Sequence, residues 1–118
     1  MRVIIAGSRP PVEVREDAKK LEQWYEERYE QLEAVLAKSG MLTLIDTVLC
    51  GEAEGWDELG KRWALAQGLE VEILDPSLEA DGLIALWDGS SSNTRRLIAN
   101  CEKAGMELDC IWVELVED

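Results

Sequence analysis

Three short, almost wholly apolar runs, each ending at a glycine or an Asp-Gly pair, constrain this 118-residue chain more than any other feature. Residues 2–6 read RVIIA before Gly7, residues 42–50 read LTLIDTVLC before Gly51, and residues 83–87 read LIALW before Asp88 and Gly89. A strand that is apolar at nearly every position must be covered on both faces, as strands of parallel sheets are. Weaker runs at residues 71–74 and at 110–116 (CIWVELV) bring the expected number of strands to about five.

Helical patterns separate these runs. From about residue 13 to 38, Val14, Ala18, Leu21, Tyr25, Leu32 and Val35 keep three- and four-residue spacing, with Pro10 and Pro11 before them and Gly40 after. This predicts one long first helix. Core packing is expected for Tyr25, whereas Trp24 and Tyr29 are open between core packing and a contact with a second copy. Residues 57–67 form a second helix, with Leu59, Trp63 and Ala66 on one face and Gly68 as its stop. Ser90, Ser91, Ser92, Asn93 and Thr94 offer N-caps for a third, running to about residue 103. Alternating strands and helices predict a single α/β domain over residues 1–118 with a mainly parallel sheet. One link is too short for the pattern: a parallel crossover takes about a dozen residues, yet residues 75–81 (DPSLEAD) leave little between the third and fourth strands. The strand at 71–74 is therefore expected at an edge, followed by a stretched connection or by exchange of segments with a second copy.

Composition removes several function classes. With 25 acidic against 12 basic residues, the net charge of -13 repels nucleic-acid backbones and anionic membranes. Cys50, Cys101 and Cys110 form no CxxC pair and there is no histidine, so no structural zinc site and no Ser-His or Cys-His pair is expected, and the adjacent acids Asp57 and Glu58 read as helix-start charges ahead of a divalent-cation pair. Cys50, ending an apolar run beside Gly51, reads as inert packing ahead of a nucleophile. Neither a Walker GxxxxGK[ST] nor a GxGxxG is present, and the first apolar run is too short for a secretory or spanning segment. A cytoplasmic protein with reduced thiols and no cofactor is the expectation.

In open parallel sheets, ligands bind beyond the carboxyl ends of the strands, where the strand order reverses. Three strand ends carry small or hydroxyl residues there: Gly7, Ser8 and Arg9; Gly51 to Asp57, with Glu52 and Gly55 between; and Gly89, Ser90, Asn93 and Thr94. Glycine lets a backbone approach a ligand closely, and the amides of a helix N-terminus attract an anion. Trp56 and Trp87 flank the expected crevice.

VIIAGSR at 3–9, GxxxGxD at 51–57 followed by LGKRWA, and ADGLIALWDGSSSNTRRLI at 80–98 resemble the YspA/cpYpsA-related branch of the SLOG superfamily of Rossmann-like nucleotide-binding proteins. The resemblance implies a Rossmann-like three-layer domain and a site for nucleotides, nucleotide-derived signals or phosphorylated ribosides. It assigns Gly7, Ser8 and Arg9 to the first strand's exit, Gly51, Gly55 and Asp57 to the second loop, and Gly89, Ser90, Asn93 and Thr94 to a phosphate-cupping loop. Asp57 would cap its helix or accept from a ribose hydroxyl. In the second loop Glu52 and Glu54 stand where the family has a Gly and an Arg, the Asn-Arg-Glu-like stretch before the fourth strand is missing, and Leu97 replaces the Glu of the phosphoribohydrolase members. These departures imply a ligand that is less phosphorylated, metal-bridged or lost, and no catalytic residue is assigned.

Binding of a nucleotide-like small molecule, by a sensor, carrier or sequestering protein, is the expected function, with a homodimer through helix faces as a candidate assembly. The alternative is an acidic protein-interaction module, an inhibitor or adaptor with a degenerate pocket. A nucleoside or nucleotide hydrolase using Asp57 or Glu52 comes third.

Overall fold

In a computed structural model, the described residues are 1–40, 42–52, 55–74, 80–86, 92–103 and 107–111, with side chains for all except Ser39, Ser92, Asn93 and 107–111. The elements are β1 (Arg2–Gly7), α1 (Val12–Arg15), α2 (Ala18–Ser39), β2 (Thr47–Cys50), α3 (Trp56–Ala66), β3 (Glu70–Ile73), β4 (Gly82–Leu86), α4 (Ser92–Lys103) and β5 (Glu107–Ile111). All strand pairs are parallel and their order is β3-β2-β1-β4-β5. This is an α/β sheet compatible with a Rossmann-like fold. β3 lies at one edge; β5 is described by its backbone pairing to β4.

The alternation of strand side chains sorts the core into two layers. Val3 and Ile5 of β1, Val48 and Cys50 of β2, and Ile84 and Leu86 of β4 face α2 and α3. Ile4 and Ala6, Leu49, and Leu83 and Ala85 face the other way, toward Ile98 and Cys101 of α4. Burying each large aliphatic side chain contributes about 1.5–3 kcal/mol, which favours apolar residues along the central strands. α3 packs closely on the sheet at Gly60, where a Cβ would stand 2.9 Å from Cγ2 of Ile5.

Several element boundaries differ from expectation. The long first helix is broken at Glu16 and Asp17: Asp17 adopts an extended backbone and its carboxylate accepts from the amides of Lys19 (2.9 Å) and Lys20 (3.3 Å), capping α2. An aspartate inside an apolar-periodic stretch competes with the helix for its own backbone, and here the cap wins. Trp24, Tyr25, Leu32, Val35 and Leu36 form the buried stripe of α2, so Trp24 belongs to the core and Tyr29 lies partly buried against it. β2 begins at Thr47, not residue 42; Leu42 and Leu44 are exposed in a turn and only Ile45 of that stretch is buried. On α3 the buried face runs through Trp56, Leu59, Gly60, Trp63 and Ala64, while Ala66 is exposed. β5 starts at Glu107, ahead of the expected residue 110.

β3 occupies the expected edge, with β2 and β1 between it and β4. Its outer residues Glu70, Glu72 and Ile73 are exposed, and the Arg2 guanidinium reaches across β2 to Glu72, with Nη2 to Oε2 at 2.6 Å and Nη1 to Oε1 at 3.3 Å. Leu74 and Ala80, at the two ends of the link, both pack against the α4-side core. The stretched connection expected at 75–81 falls mainly on residues outside the described ones. All five strands pair within one chain, so the sheet requires no exchange of segments.

Gly60→Ala sets two effects against each other. Alanine favours the helix by about 1 kcal/mol, but overpacking against a fully buried β-branched side chain costs about 1–3 kcal/mol. Net destabilisation is expected, read as a lower urea midpoint with an unchanged slope.

Candidate functional site

Because β2, β1 and β4 run parallel and adjacent, their C-terminal ends share one rim, and the strand order reverses between β1 and β4. Beyond β1 the chain stays tied to β4, since the Ser8 amide donates to the Leu86 carbonyl at 3.0 Å. Ser8 is buried and Arg9 exposed.

The loop after β2 meets the loop after β1 at Gly55. This residue has φ 98° and ψ -128°, a conformation open essentially only to glycine. A Cβ on it would stand 2.7 Å from Cδ of Pro10 and 3.4 Å from the Ser8 carbonyl oxygen. Its amide donates to the Tyr25 hydroxyl at 3.1 Å, so α2 holds the start of α3 in place. The Arg62 guanidinium lies over the Tyr25 ring, 4.4 Å from its centroid, and pairs with Glu58 and with Glu22 of α2, each at 3.2 Å. These contacts lock α2 to α3 just behind the rim.

The other two singled-out glycines are filled from within the chain. A Cβ at Gly7 would meet the Leu86 carbonyl oxygen at 2.5 Å and Cδ1 of Trp56 at 2.5 Å. The Trp56 indole therefore lies flush on the end of β1; it is fully buried and meets Trp24 edge to face with centroids 5.3 Å apart. A Cβ at Gly51 would meet Oδ2 of Asp57 at 2.5 Å. The N-cap of α3 is Gly55, so Asp57 is the second helical residue and not the cap. Its carboxylate sits in the first turn of α3, where the helix dipole favours negative charge.

One feature was not anticipated. Trp56 Nε1 is buried and finds no hydrogen-bond acceptor among the described residues, a state that costs about 1–3 kcal/mol for a desolvated donor. No sequence signal announces it; only the packing on Gly7 does.

Glu52 is exposed at the mouth of the second loop. Thr94 is buried in the first turn of α4, and Asn93 is described there by backbone alone. Gly89, Ser90, Trp87 and Glu54 lie outside the described residues. Arg95 and Arg96 are exposed on α4. The structure thus brings Gly7, Ser8, Gly55 and, through Trp56, the start of α3 into contact, with Gly51, Glu52 and Asp57 on the neighbouring strand end.

Burial, reinforced by the charge of Asp57, pushes the Cys50 thiol up to about 12, and burial also raises Cys101. Among the described residues no group of three or more His, Cys, Asp or Glu side chains is placed to hold a metal, and no helix is long and apolar enough to cross a membrane. Compared with family models, curated proteins and solved structures, the chain matches none.

Two outcomes follow from this geometry. Tyr25→Phe removes the acceptor of a buried amide and is expected to cost about 1–2 kcal/mol, measured by urea denaturation, with the circular dichroism spectrum retained. Cys50, whose thiolate is disfavoured by burial and by Asp57, is expected to resist iodoacetamide in the native protein at pH 8 and to react once unfolded, as followed by peptide mass mapping.

Proposed function

We propose that this chain binds a nucleotide or nucleotide-derived small molecule at the C-terminal rim of its sheet and acts as a sensor, carrier or sequestering protein. The observation that carries this reading is the juxtaposition of the ends of β2, β1 and β4, with the order reversing beside Gly7 and Ser8. Open parallel sheets take their ligands at such a reversal. The resemblance of the three strand-end motifs to SLOG proteins supports the same placement, as does the start of α3 directed at the first loop. Glu52 and Asp57 set a condition on the ligand: multiply phosphorylated molecules meet like charge at the β2 side of the rim.

The filled glycines favour a second reading. With Trp56 on Gly7, Asp57 on Gly51 and Pro10 on Gly55, the loops are compact without a guest, and an acidic surface of net charge -13 is suited to a basic protein partner.

Thermal denaturation with a panel of nucleosides, mono- and triphosphates and ADP-ribose derivatives separates the two. A concentration-dependent rise in Tm with a panel member supports the small-molecule reading. Glu52→Lys is then expected to strengthen phosphorylated members several-fold at low salt and less at high salt. No rise with any member, together with salt-sensitive stabilisation by a cationic peptide, selects the interaction reading instead.

A further inference from the structure

We propose that the indole N–H of Trp56 is the anchoring hydrogen-bond donor of the rim site, and that its acceptor is an uncharged carbonyl or ring nitrogen of a ligand such as a nucleobase. This rests on the small-molecule reading above and names the chemistry that reading selects.

The donor is in the right place. Cδ1 of Trp56 and the Leu86 carbonyl oxygen both stand 2.5 Å from the point where a Gly7 Cβ would be, and Nε1 is bonded directly to Cδ1. The N–H therefore lies on the ring edge beside the ends of β1 and β4, where the strand order reverses. α3, an 11-residue helix, begins at this same tryptophan, and its first intrahelical amide bond is that of Leu59 to the Gly55 carbonyl. Its first-turn amides face out at this end.

The donor also lacks a partner. Trp56 has no exposed surface, and Nε1 has no acceptor among the described residues. Indole N–H has no lone pair and no second proton, so it can be satisfied only by an acceptor brought to it. Native proteins pair nearly all buried donors, and an exception at a ligand-binding position points to the ligand.

Charge selects the acceptor. Glu52 and Asp57 lie on the adjacent strand end, and Glu58 follows on α3; the Arg62 guanidinium is held by Glu22 and Glu58. A neutral N–H beside these carboxylates cannot compensate a phosphate, but it pairs fully with a carbonyl or an aromatic nitrogen. Because the indole is fully buried, the acceptor reaches it only by displacing part of the packing around it.

The test uses the 15N-labelled full chain, whose five tryptophans give resolvable indole resonances. Trp56→Phe identifies the Trp56 signal; should that variant fail to fold, its nuclear Overhauser contacts to the Gly7 α-protons do so. In the free protein the signal is expected upfield, as for an unbonded indole. Titration with the four nucleosides is expected to move it downfield saturably for at least one of them, with affinity falling about tenfold from nucleoside to triphosphate. A free-protein signal already at a hydrogen-bonded position overturns the proposal. So does a ligand that raises Tm and shifts other indole signals while Trp56 stays put, an outcome that leaves the small-molecule reading standing. Absence of binding by every nucleoside and nucleotide overturns both.

Discussion

The seating of the Trp56 indole on Gly7 is the contact on which the rest of the rim depends. A side chain of any size at position 7 would meet both the ring and the Leu86 carbonyl, so β1 must end in glycine for α3 to start where it does. Once the ring is seated, Trp24 packs edge to face against it, and the neighbouring Tyr25 is brought within reach of the Gly55 amide. Packing and polar satisfaction are coupled: the helix that buries the indole also supplies the hydroxyl for a turn at Gly55 whose backbone is open essentially only to glycine.

The same contacts change what the glycines mean. Gly7, Gly51 and Gly55 read in the sequence as openings through which backbone approaches a ligand. Each instead accommodates part of the chain itself: an aromatic ring, a carboxylate and a proline. Backbone approach is still the reason for glycine, but the approaching group is internal. The reversal between β1 and β4 is bordered on its β2 side by acids and holds a buried indole N–H without an acceptor among the described residues.

Much of the scaffold was legible because it is written in local pattern. Apolar runs with no polar break at Val3 to Ala6, Val48 to Cys50 and Leu83 to Leu86 mark central parallel strands, and a seven-residue link predicts that the third strand lies at an edge. The misses fall where local and tertiary preferences compete. Asp17 falls within the apolar periodicity around Val14, Ala18 and Leu21 yet caps a new helix, and Leu42 and Leu44 look like strand but occupy an exposed turn. The rim was legible in position and illegible in content. That Tyr25 would serve Gly55, thirty residues away, or that Trp56 would fill the space above Gly7, has no periodic signature; both are facts of three-dimensional packing.

The outer border of the sheet also governs how copies of this chain can meet. An unpaired parallel strand invites another strand, and β3 ends the sheet with Glu70 and Glu72 turned to the same face and Val71 and Ile73 to the other. A second molecule laid antiparallel against it, centred on Val71, would set Glu70 opposite Glu72 on both sides of the axis; centred on Glu72, it would set that residue against itself. Like charges directly opposite one another oppose pairing. In those two registers, extension of the sheet across β3 from molecule to molecule is opposed by charge.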